Sequence, residues 1–362
     1  MPMHPTKSSR KLPAVACVLR MKWVFAIAAF GCFADPAVGE DKAASAPERE
    51  SAENWLEAKG WNRDDQANAR KIVELAVEEG RADVLERLKT RGVDVRAKNG
   101  TDWAPMPNAE WKGPSPLSAL GEPTSFKRVD GVDDSWKLMH TAARKGHLEV
   151  MKWLSGEGVD IHAKENATGS TAMSWAALNG HLEVVQWLNG QGVDVNVKGD
   201  KNRTPLFGAA ARGHVAVMDW LRSKGAEVDV KDAFGWTPMH DAAYYGRMEA
   251  MAWLKEQGAD VDGKARNGDT PMSLVAGTGC VEAMEWLKNH GADVNTANNG
   301  GMTPMHKAAF FGQVASLEWL YTRGADIHAK NARGLTPLRT AINRKQEDAV
   351  RWLKDHGAAI EE

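Results

Sequence analysis

Cysteine is scarce in this chain of 362 residues, which has only Cys17, Cys32 and Cys280. The first two lie ahead of residue 40, so the part expected to fold holds Cys280 alone. That excludes an internal disulfide and a cysteine-based metal site there, and leaves packing to supply the stability. A membrane span is lacking as well. The uncharged stretch from Trp23 to Ala34 is twelve residues long, against about 20 for a membrane-crossing helix. Nor does one sign of charge dominate: the net charge is −2, which gives no overall argument for nucleic acid or an anionic membrane. No glycine-rich phosphate loop or nucleophile motif stands out. What is present, 43% hydrophobic and 26% charged residues, is ordinary for a folded soluble protein. The length exceeds one compact core and suits two domains or one elongated repeat array.

The start of the chain has its own character. Residues 1–39 carry Lys7, Arg10, Lys11, Arg20 and Lys22 against Asp35. The apolar stretch that follows, with Ala37-Val38-Gly39 after it, has the build of a cleavable secretory signal cut before Glu40. The protein is then exported, periplasmic or secreted; without a working signal it is cytoplasmic. A disordered basic leader and a mitochondrial transit peptide are the competing readings. Met21-Lys22 would also serve as a signal start, making residues 1–20 an extension. Ala29-Phe30-Gly31-Cys32 weakly resembles a lipidation box, with the bulk of Phe30 against it.

Past the leader, one pattern dominates. Trp-Leu recurs at 153, 187, 220, 253, 286, 319 and 352, a step of 34 and then 33 five times. A second marker keeps the same beat: Thr171, then Thr-Pro at 204, 237, 270, 303 and 336. Two independent markers in one register identify an internal repeat. Each unit reads as turn, helix, turn, helix. Threonine caps the first helix and proline takes its first position, where the missing N–H costs nothing. A glycine (146, 180, 213, 246, 279, 312) ends it in the left-handed conformation. A second helix with apolar residues at helical spacing follows, then another glycine and a polar segment expected to project as a hairpin.

Thr237-Pro238-Met239-His240, Gly180-His181-Leu182-Glu183-Val184-Val185 and Gly291-Ala292-Asp293-Val294-Asn295 resemble the signatures of the ankyrin repeat family. The resemblance runs from Asp134 to the C-terminus. It implies an all-α ankyrin-repeat solenoid of stacked helix pairs with projecting β-hairpin loops, and a binding role. The expected organisation is a signal peptide over 1–39, a linker over 40–61 and an N-terminal capping repeat over 62–97. Seven repeats then fill 134–362, the last a polar C-terminal cap in which Lys345 replaces the glycine. Between these lies 98–133, where Pro114, Pro116 and Pro123 forbid normal helices; it is either a decayed repeat or an insertion.

The tempting catalytic and metal residues are absorbed by the repeat. Ten of the eleven histidines hold repeat positions. Equivalent residues in neighbouring repeats stand about 10 Å apart, too far to share a metal at bonds of about 2 Å. The recurrent aspartates belong to turns. We therefore expect no enzyme activity, no metal and no cofactor, and read the periodic tryptophans as core. The variable positions carry the functional signal. In ankyrin-like stacks the concave surface is formed by the hairpins and the inner face of the first helix. Here that places Phe234, Trp236, Tyr244, Tyr245, Met302, Phe310 and Phe311 in a partner-binding groove, with Trp175 on the same face. About half of these are expected to pack between repeats instead. Arg144, Lys145 and Arg212 form a basic end. The expectation is a monomeric scaffold for a protein or peptide partner. A secreted factor acting on another cell, an enzyme using 98–133 and a small-molecule sensor using the aromatic cleft are the rivals.

Overall fold

The computed structural model describes residues 50–61, 66–93, 135–165 and 168–359. The leader with its signal and lipidation motifs, and the whole of 98–133, lie outside the described residues. Among the described residues there are seventeen α-helices and no sheet. The chain divides into two compact units at Glu165–Asn166.

The first unit holds α1 (Ala52–Ala58), α2 (Gln66–Glu78), α3 (Ala82–Thr90), α4 (Trp136–Lys145) and α5 (Leu148–Gly156). Helix α1 corrects the expected linker over 40–61. Ser51 caps it by accepting from Asn54 N, and Trp55 and Leu56 are buried against α3. The Trp55 indole donates to Glu79 at 2.7 Å, and Arg87 and Arg91 both pair with Glu53. The pairs α2/α3 and α4/α5 stack directly, α2 on α4 and α3 on α5. His147 Nε2 lies 3.0 Å from Glu78 O, and the Trp153 indole donates to Glu86 at 2.7 Å.

The second unit holds α6 (Ala172–Leu178), α7 (Leu182–Gly190), α8 (Pro205–Arg212), α9 (Val215–Ser223), α10 (Pro238–Tyr244) and α11 (Met248–Glu256). It continues with α12 (Pro271–Thr278), α13 (Val281–Asn289), α14 (Pro304–Phe311), α15 (Val314–Thr322), α16 (Pro337–Asn343) and α17 (Glu347–Asp355). The even-numbered helices, each the first of its pair, approach one another more closely than the odd-numbered ones do. Alanine explains the difference. Ala176–Ala177, Ala209–Ala210, Ala242–Ala243 and Ala308–Ala309 are fully buried in the first helices and let their backbones come close. The tighter layer is the inner side of the stack.

The threonines sit at the N-caps as expected, Thr171, Thr270, Thr303 and Thr336 accepting from the backbone N–H three residues on. Lys345 adopts φ +56°, the left-handed turn that glycine makes elsewhere, which strains any side-chain-bearing residue. The polar segments differ from the expected β-hairpins. Each closes with one antiparallel backbone bond, such as Asp232 N to Trp236 O at 2.9 Å, and no ladder follows. The spare groups turn sideways: Ala233 N donates to Lys201 O, Arg266 N to Phe234 O, Asn299 N to Asn267 O and Ala332 N to Gly300 O. The loop tips are so close that a Cβ on Gly235 would meet Arg266 N at 2.6 Å.

The tryptophans are only partly core. Trp253 and Trp319 are buried, whereas Trp153, Trp187, Trp220, Trp286 and Trp352 are half-exposed. Adjacent residues on a helix point about 100° apart. The leucine beside each tryptophan is fully buried, for instance Leu254 and Leu320, so the indole lies at the flank. There it reaches back one repeat: Trp319 donates to Glu285 at 2.7 Å, Trp352 to Glu318 at 2.8 Å and Trp253 to Asp219 at 3.4 Å.

Candidate partner-binding surface

The inner layer is built around buried histidines and the residue preceding each threonine. His240 Nδ1 accepts from Thr237 N at 3.1 Å, so its Nε2 carries the proton and faces Asp269 O at 3.3 Å. His306 repeats this with Thr303 N and Leu335 O, and His140 Nε2 lies 3.0 Å from Ala163 O. Each ring ties a first helix to the loop that follows its helix pair. Burial lowers the pKa of His140 and His306 and takes that of His240 down to about 4, because an imidazolium here would lose its water.

Two ion pairs cross between repeats at equivalent positions with the charges exchanged. Arg203, just before Thr204, reaches Asp241 on α10 at 2.9 Å and Asp232 at 3.1 Å. Asp269, just before Thr270, meets Lys307 on α14 at 2.8 Å. Both acids facing Arg203 are essentially inaccessible. Burial pushes the Asp241 carboxyl up to about 6, with Arg203 opposing it. Asp232 accepts in addition from Phe234 N and Trp236 N, which fixes the loop that presents both aromatic rings.

The proposed site residues fall into separate groups. On α10 and its entry, Trp236 and Tyr244 have ring centroids 5.9 Å apart, and Tyr244 and Tyr245 meet edge-on at 5.0 Å. All three are half-buried, while Phe234 is exposed with the Lys201 ammonium 5.6 Å from its ring. At the end of α14, Phe310 and Phe311 meet at 4.8 Å, and the Arg344 guanidinium lies 3.9 Å from the Phe310 ring centroid. Phe311 lies over Gly277, where an added Cβ would come within 2.9 Å of its ring. Met302 is half-buried before α14, Trp175 is half-buried in α6, and Arg212 is half-buried at the end of α8. Arg144 and Lys145 are exposed at the end of α4 in the other unit. Tyr321, which the sequence did not single out, is exposed on α15 and packs edge-on against Trp352 and His356. The sequence reading also missed Arg203, Asp232, Asp241, Asp269 and Lys307. For Arg203 with Asp241 and Asp269 with Lys307 the signal was a charge at a position that is uncharged in the neighbouring units, with its opposite 38 residues on. Among the described residues no three His, Cys, Asp or Glu side chains come together to hold a metal, and no helix is long and apolar enough to cross a membrane.

Stacked helix pairs with threonine-capped, alanine-lined first helices and bonded loop tips are repeated through the second unit. A family model described as ankyrin repeats (3 copies) matches residues 175–265, and one described as ankyrin repeats (many copies) matches 139–188 and 272–321. The fold is an ankyrin-repeat solenoid. A comparison with curated proteins returns no match. Ankyrin repeats are in general protein–protein interaction modules.

Proposed function

We propose that this ankyrin-repeat protein is a non-catalytic scaffold that holds a protein or peptide segment along the inner side of its second unit. The observation that carries the reading is the placement of Trp236, Tyr244, Tyr245, Phe310 and Phe311. All are half-buried on the tighter helix layer, braced by one another and by Arg344, with part of each ring left accessible. Pre-ordered aromatic rings add contact area while little side-chain freedom remains to be lost on binding. The basic leader and its apolar stretch support an exported protein. The test is an affinity capture from native extract with residues 40–362, beside a Tyr244→Ala/Tyr245→Ala/Phe310→Ala/Phe311→Ala variant shown to be folded by circular dichroism. A partner held by the parent and lost by the variant supports the groove. Identical capture by both sinks it.

A further inference from the structure

The loop tips carry a charge pattern that the aromatic surface does not explain. A notch of about 300 Å³ opens among the tips of loops 198–203, 231–236 and 264–269, lined by Lys231, Lys264, Arg266, Asn202, Gly235 and Asp232. The acids on these tips are already engaged. Asp232 is held by Arg203 and two backbone N–H groups, Asp269 by Lys307, and Asp200 lies 3.6 Å from Lys201. The exposed side chains of Lys264 and Arg266 have no carboxylate within ion-pairing distance, and the Lys231 ammonium donates to Lys264 O at 3.2 Å, which holds it at the notch. Asp229 and Asp262, at the loop bases, have their carboxyls raised chiefly by burial, with Lys231 and Lys264 the smallest opposing influences. The cations therefore spend little of their field on the protein itself.

We infer that this notch takes carboxylate side chains from an acidic segment of a partner protein, which continues past Phe234 onto the aromatic surface. The inference rests on the groove reading above. A peptide fits better than a long polyphosphate chain for a reason of charge. The loop bases carry the exposed acids Asp194, Glu227, Asp260, Asp293 and Asp326 alongside the tips. A peptide can place two or three carboxylates in the notch and remain neutral elsewhere, whereas a nucleic acid backbone would meet that acidic row along its length.

The test is fluorescence anisotropy with a labelled synthetic peptide of Asp and Glu flanking one Tyr, on the full chain and on a Lys231→Gln/Lys264→Gln/Arg266→Gln variant. These three side chains are exposed, and an unchanged thermal melt verifies that the variant is folded. Binding by the parent is expected to weaken steeply with added salt. The association rate in the variant is expected to fall about tenfold at low ionic strength. Equal binding by the variant, equal binding of the Gln-for-Glu peptide, or no binding of the acidic peptide overturns the inference. So does stronger, notch-dependent binding of a single-stranded oligonucleotide. The two readings fail separately. An extract partner lost with the four-aromatic variant but kept by the triple variant leaves the groove standing and removes the notch.

Discussion

Two joints of the second unit solve the same problem with opposite charges. Between α8 and α10 a cation before the threonine, Arg203, serves two buried acids; between α12 and α14 an acid before the threonine, Asp269, meets a cation on the next first helix. The joint between them has Trp236 and Leu274 at the same positions, and the joint that follows has Met302 and Thr340. The same two positions are thus an ion pair at two joints and uncharged at the others, so the chemistry there is particular to each joint. That specificity has a thermodynamic side. A buried ion pair contributes little net stability, yet removing one member strands the other.

The comparison breaks most visibly at Arg203. Arg203→Ala leaves Asp232 and Asp241 buried without a cation, and should cost about 3–5 kcal/mol in urea unfolding. Lys307→Ala should cost about 1–3 kcal/mol, because Asp269 keeps hydrogen bonds from Asn298 and Asn267. Equal losses would show that the two joints are not the alternatives drawn above.

Acid probes the same layer. His240 has a folded pKa of about 4, depressed from 6.5, so the unfolded chain binds the proton more readily. Its contribution is fully present above pH 6.5 and is lost as pH falls towards 4, by at most about 3 kcal/mol. Asp241 has the opposite sign. Its pKa is raised from 3.8 to about 6, so its protonation favours the folded state as pH falls through that window. Melting temperature should therefore fall first between pH 6.5 and 6, then flatten. Asp241→Asn should steepen the decline below pH 6, and an unchanged profile would dissociate the two groups. Smallest is the tryptophan contrast. Trp319→Phe loses the bond to Glu285 and should cost about 1 kcal/mol. Trp286→Phe, where Ala252 stands in place of the acid, should cost measurably less in the same denaturation assay.

The repeat register, the threonine caps and the glycine turns were legible in the sequence because each rests on a local rule with a fixed residue type. Burial of the tryptophans was over-read. Periodicity places a residue on a helix without saying whether its neighbour already fills the core, and Leu287 does so beside the half-exposed Trp286. Helix α1 was hidden because it lacks the Thr-Pro start, although Trp55-Leu56 repeats the familiar dipeptide. The Arg203–Asp241 and Asp269–Lys307 pairs depend on which positions meet across a joint, and spacing alone does not supply that. Of the candidate surface, the sequence located the aromatic positions. It did not show that Phe311 would cover Gly277 or that Arg344 would lie on Phe310.

The sideways bonds between loop tips restrict how such a protein can change in length. Each bonded tip is a tread in a staircase, with Phe234 O, for example, accepting from Arg266 N one step on. One extra residue in a tread would misalign its links on both sides, whereas copying or deleting a whole 33-residue unit restores every link. A change of length within a tread therefore breaks its links, whereas a change by whole units or by substitution leaves the staircase intact.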